Sequence, residues 1–293
     1  MGLNESVNIS LFMLSISDFA FTFCNLNTII MLKLSSSGGL YYVDPLSLVL
    51  LMVPFNRLFF DLSNMVTCFI AVARCCCVAM PLTFRLTFTK TKSFAIIGVI
   101  YLGFISEYMP LFLTQTLGQS YNSRSNITQL VIRFAPDRDA LVKIITDSIN
   151  RNAILIITFV VSLVCLIIIT NSLRQSSKFR LSLRSTQVID AKNDRKQGRK
   201  TRGDKSSLTA SDLQVVKGVS LVLLKSVTCN LPLICIAYSR LALPELSVGK
   251  ALNNLYFLVG NISSFVIALN TSINCVVYYN FNTRYRQTVK SFF

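Results

Sequence analysis

Six ionisable side chains fall inside long apolar stretches: Asp18, Arg57, Asp61, Arg74, Glu107 and Lys225. A charge carried into hydrocarbon costs roughly 3 kcal/mol on insertion scales, so each needs a partner, a wet cavity or a route to the membrane surface. Arg57 and Asp61 stand four apart on one helical face and can pair, and Arg57 is also placed to reach a ligand cavity. Lys225 is near enough to one end of its stretch to snorkel. Asp18 lies in mid-stretch among Ser15, Ser17 and Phe19, with no basic residue close in sequence. A lone carboxylate there must hold a cation, bind a proton or pair with other helices. The chain has no His at all. That removes His acid/base catalysis, Ser-His and Cys-His nucleophiles and His-ligated metals. An enzyme is not expected.

These residues must be positioned by membrane helices. Only 14% of the 293 residues are charged and 52% are hydrophobic, whereas a soluble chain carries about a quarter charged residues. A bilayer core takes ~20 apolar residues per helix. Six stretches qualify: 6–32, 46–73, 94–113, 153–173, 218–238 and 252–278. The fold class expected is an all-α, multi-span helix bundle, read as one transmembrane domain over 1–293. The first stretch has no basic region before it and is too long for a signal peptide. Segments 82–92, 174–217 and 280–293 hold eighteen Lys and Arg, against eight in 33–45, 114–151 and 239–251. That bias puts the first set, with the C-terminus, in the cytoplasm. The basic loop 174–217 reads as a topology signal that also attracts anionic lipid, or as a partner-docking surface. Nucleic-acid binding fits poorly, because the charge is divided among membrane loops.

Asn126-Ile127-Thr128 is a glycosylation sequon in a loop expected outside. The nine Cys lie within spans or at the end of the second, none in an outer loop, so an extracellular disulfide framework is not expected. Cys75–Cys77 read as small apolar fillers or as palmitoylation sites. Pro54, Pro110 and Pro232 fall within spans, where neighbours can satisfy the freed backbone groups. Pro232 is expected to kink the fifth span.

Four landmarks together resemble the rhodopsin-like (class A) G-protein-coupled receptors. Ala73-Arg74-Cys75, followed by Pro81-Leu82, resembles the acidic-Arg-Tyr triplet of the third helix, with Ala73 and Cys75 in place of the acid and the Tyr. Asn274-Cys275-Val276-Val277-Tyr278 resembles the Asn-Pro-x-x-Tyr of the seventh, with Cys for Pro. Cys229-Asn230-Leu231-Pro232 resembles the Cys-Trp-x-Pro of the sixth, with Asn for Trp. Leu14-Ser15-Ile16-Ser17-Asp18 resembles the Leu-x-x-x-Asp of the second. The resemblance covers nearly the whole chain, in a register that begins at the family's second helix. Residues 2–10 then read as the first inner loop entering that helix, the first helix is expected to be absent, and 280–293 reads as a short amphipathic helix on the inner face. The finer likeness is to invertebrate chemosensory and peptide receptors.

The resemblance implies a plasma-membrane receptor that couples an extracellular ligand to a heterotrimeric G protein by an outward swing of the Pro232 helix. It implies a sodium pocket at Asp18, Ser63, Asn270 and Asn274, with Na+ at Asp18. Arg74 matches the arginine that contacts the G protein; Asp212 stands where many members carry the acid that locks it. Asn230, Pro232, Asn274 and Tyr278 complete the switch residues. Because Ala73 removes the neighbouring acid, raised basal activity is expected. Asn56 stands where amine receptors carry an Asp and Ala268 where opsins carry the retinal-linking Lys, so amines and retinal are excluded. Asn56, Arg57 and Asp61 are the candidate ligand contacts, and Arg57 with Arg124, Arg133 and Arg138 suits an acidic ligand. The family's disulfide between the third helix and the second outer loop cannot form, for Cys is missing at both places. Two other readings stand beside this one. A non-functional truncated relic of such a receptor is the first. A six-span mitochondrial solute carrier is the second, disfavoured because no Pro is followed two residues later by an acid.

Overall fold

The computed structural model describes residues 2–37, 39, 41–80, 88–122, 127–172, 175, 210–243, 245–246, 250–281, 286 and 291. The basic segment 176–209, Asn126 and nearly all of 282–293 lie outside these residues, and so do the side chains of Asp212, Cys275 and Tyr278.

Among the described residues, six helices are long and apolar enough to cross a membrane. They are α1 (Gly2–Ser36), α2 (Pro45–Ala79), α3 (Lys90–Leu113), α4 (Arg138–Ser172), α5 (Ala210–Ala242) and α6 (Asn253–Phe281). The chain is an all-α multi-span membrane bundle. Each expected span is matched by one helix, but most helices run past the apolar stretch at one or both ends. Residues 2–10, read from sequence as a loop entering the first span, are already helical. Hydropathy marks only the part of a helix that sits in hydrocarbon, whereas backbone hydrogen bonding continues into the polar layer.

Large side chains on the outer faces stay exposed, among them Phe19, Phe94, Leu102, Ile157 and Phe265. The bundle therefore presents an apolar surface to lipid. Its interior is a mix. One apolar cluster joins Leu14 of α1, Val66 and Ile70 of α2, Ile169 of α4 and Leu223 of α5. A second joins Leu58 and Leu62 of α2 to Phe104, Tyr108 and Leu111 of α3 and Ile145 of α4. Buried polar groups on α1, α2, α4, α5 and α6 form the candidate site.

Helix α2 packs against α1, α3 and α5. Asp44 caps its N-terminus by accepting from Leu46 N and Ser47 N, at 3.4 and 3.0 Å, and from Ser47 Oγ at 2.7 Å. Pro45 at the first helical position needs no donor partner.

The connection between α3 and α4 departs from its reading as a plain loop. It holds an antiparallel hairpin, β1 (Gln115–Asn122) and β2 (Ile127–Phe134), in which Gln115 faces Phe134 and Asn122 faces Ile127. The polar, β-branched run hid a strand pair that has no apolar core of its own. The hairpin is fixed to the entry of α2 instead: Leu130 N donates to Tyr42 O at 2.9 Å, Asp44 N donates to Leu130 O at 3.1 Å, and Gln129 Nε2 donates to Tyr41 O at 2.9 Å. After it, α4 begins at Arg138, earlier than the span expected from 153, and runs through a wide-turned π-helical segment over Val142–Ile154. Ser148 Oγ donates to Lys143 O at 3.1 Å, a reach of five residues that fits the wider turn.

Candidate functional site

The buried polar groups form three layers down the bundle from the hairpin end. The first is a cavity of about 350 Å³ lined by α1, α2, α4, α5 and α6. Asn56, Arg57 and Asp61, singled out from sequence, all line it, and they are joined by Asn150 and Arg151 from the wide-turned part of α4. Asn56 Nδ2 donates to Thr28 Oγ1 of α1 at 3.0 Å. The two arginines give the wall a cationic character, and both lie close enough to Asp61 to interact with its charge.

Asp61 floors this cavity, and of the two roles open to Arg57 the structure shows the cavity wall, with Arg57 still close enough to feel the Asp61 charge. Tyr108 of α3 donates to Asp61 Oδ2 at 2.5 Å, and Asn150 Nδ2 donates to the Tyr108 hydroxyl at 3.2 Å. Sequence spacing offered Arg57 four residues away; tertiary packing supplied a neutral donor from another helix. Arg57 is left to the cavity wall. Glu107 sits beside this group, with Oε1 buried and without a hydrogen bond.

The second layer surrounds Asp18. Ser63 Oγ of α2 donates to Asp18 Oδ1 at 2.6 Å, and Asn274 Nδ2 of α6 donates to Asp18 Oδ2 at 2.5 Å. The residues named from sequence as one pocket thus meet in space from three helices. The pairing of Asp18 with other helices, one of the three options open to a lone carboxylate, is met. Lys225 of α5, expected to snorkel outward, turns inward instead: its ammonium donates to Asn274 Oδ1 and to the main-chain carbonyl of Asn270. Nothing in the local sequence of α5 indicated this, because the acceptors come from α6. Asn270 is buried, and it enters the group through its carbonyl.

Beside this layer, Asn230 Nδ2 donates to Asn64 Oδ1 at 3.0 Å and to Ser226 Oγ at 3.5 Å. A small polar pocket lined by Asn64, Thr158, Ser162, Ser226 and Asn230 joins α2, α4 and α5 there. Asn64 was missed in the sequence; a polar residue amid apolar ones was the available clue. Pro232 lies two residues beyond Asn230 inside α5. On the other side, Ser17 and Tyr101 share a 2.5 Å hydrogen bond, and Tyr101 donates to Met13 O at 2.8 Å, tying α3 to α1.

The third layer is Arg74, buried near the far end of α2. Whether Asp212 meets it lies outside the described residues, as do the Tyr278 side chain and the Asn126 sequon. None of the eight described cysteines is in a disulfide. Among the described residues no cluster of His, Cys, Asp or Glu could hold a metal ion. No protein-family model matches this chain, and no curated protein matches it.

Proposed function

We propose that this chain is a rhodopsin-like G-protein-coupled receptor of the plasma membrane, with its C-terminus in the cytoplasm, that couples an acidic extracellular ligand to a heterotrimeric G protein. The observation that carries the reading is the meeting of Asp18, Ser63 and Asn274 from three helices, between a cavity at one end and buried Arg74 near the other. Ligand contacts at Asn56, Arg57, Asp61 and Arg151 sit over this polar group. A ligand that draws the cavity walls together stresses α5 and α6, which share Lys225, Asn270 and Asn274. Pro232 leaves α5 without one backbone hydrogen bond, so the half of α5 that carries Lys225 can swing. Such a swing uncovers Arg74 to the G protein.

Two arginines on the wall of this cavity favour a carboxylate or other anion, which Arg can grip with two parallel hydrogen bonds. The test is guanine-nucleotide exchange on purified G proteins by the chain reconstituted in lipid discs, beside Arg74→Ala. Exchange above the protein-free rate that is lost in Arg74→Ala is the expected result. No exchange with any G-protein class, by a chain that is folded and inserted, would reject the receptor reading and leave the relic.

A further inference from the structure

The pocket that the resemblance assigns to sodium does not suit a cation here. Asp18 Oδ1 accepts from Ser63 and Oδ2 from Asn274. Of the other oxygens around the carboxylate, Asn274 Oδ1 and the Asn270 main-chain carbonyl accept from the Lys225 ammonium, while Asn270 Oδ1 is buried without a hydrogen bond. A sodium ion at Asp18 would have to sit beside that ammonium. Two like charges a few ångströms apart in a buried site repel strongly.

We propose that the Lys225 ammonium is the built-in counter-ion of Asp18, relayed through the Asn274 amide, and that it closes this site to sodium. The chain of contacts is continuous. The ammonium polarises the Asn274 side chain at Oδ1, and the same amide donates from Nδ2 to the carboxylate. Asp18 and Lys225 are also close enough to interact directly as charges. A buried carboxylate and a half-buried ammonium on different helices thus neutralise each other across one amide. This removes the cost that each would carry alone in the membrane. It also ties α1, α5 and α6 together at one point: the contact cannot persist if α5 moves away from α6. The inference stands on helix packing alone and holds whether or not the chain signals.

The test is thermal unfolding of the full chain in lipid discs, followed by circular dichroism, in sodium chloride and in choline chloride at equal ionic strength. The wild type is expected to melt at the same temperature in both salts. Lys225→Met frees the Asn274 and Asn270 oxygens, so sodium should then raise its melting temperature by about 2 °C or more, and Asp18→Asn added to it should abolish the rise. Without salt variation, the double variant should be less destabilised than the two single losses combined, since each single change strands the other charge. A wild-type rise in sodium that disappears in Asp18→Asn would overturn the proposal. So would additive single effects, or a folded Lys225→Met chain that ignores sodium. If Lys225→Met does not fold, the wild-type and Asp18→Asn comparison in the two salts still decides: equal melting supports the built-in ammonium, and a sodium effect refutes it.

Discussion

At the scale of single residues, buried polar groups hold this bundle in register where apolar packing is generic. Among the described residues, Asp61 has Tyr108 as its close hydrogen-bond donor. Tyr108→Phe keeps the packing and removes that donor. The expected loss is about 1–2 kcal/mol, the upper part of the range for interhelical hydrogen bonds in membranes. Thermal unfolding in detergent should show it, while Ser106→Ala, whose hydroxyl bonds only to Gly103 O of its own helix at 2.8 Å, should melt like the wild type. Ala73 bears on the proposed function. An acid there would neighbour Arg74 and restrain it; an exposed pair is worth about 1 kcal/mol or less, and burial of both positions makes that a lower bound here. Ala73→Glu is therefore expected to lower basal nucleotide exchange by about fivefold or more, because a two-state population follows the difference exponentially. Equal basal exchange by the two chains would sink this expectation.

The elements carry the second kind of information. The hairpin between α3 and α4 is anchored by backbone pairing to Tyr42–Asp44 at the entry of α2. The Leu130 N–H is its main donor. Leu130→Pro removes that donor and should loosen the hairpin over the cavity. Amide exchange over residues 41–44 and 115–134 is expected to speed up, with the centre of α2 unchanged. Protection that persists would mean that side-chain contacts hold the hairpin. The wide-turned stretch of α4 works in the same region. Its extra residue per turn rotates Asn150 toward Tyr108 and Arg151 toward the cavity, as π-type turns often do at functional sites.

At the scale of the whole molecule, the lipid-facing shell and the buried polar layers define a multi-pass membrane protein whose sidedness can be measured. Chain made with microsomes should lose mobility on a gel, regain it after glycosidase, and show no such shift with Asn126→Gln. That outcome places the hairpin end in the lumen, opposite the basic segment 174–217. A shift that survives Asn126→Gln would move the modification to another sequon: use of Asn4 or Asn8 would contradict the expected orientation, and use of Asn261, on the cavity side, would keep it.

How much of this was legible beforehand follows from range. Span number, all-α class and charge asymmetry were readable from sequence, because hydrocarbon demands ~20 apolar residues whatever the neighbours are. The same holds for the need of Asp18 for a partner, since the cost of a charge in lipid is a property of the residue itself. The partners were not readable. Tyr108 as the donor to Asp61, the inward turn of Lys225, the Asn64–Asn230 contact and the hairpin's hold on α2 all join segments far apart in the chain. Local spacing says which residues share a face, and it put Arg57 beside Asp61. Only the packing of six helices decided which faces meet, because a hydrogen bond between helices depends on their rotation and depth, and neither is written in any one segment.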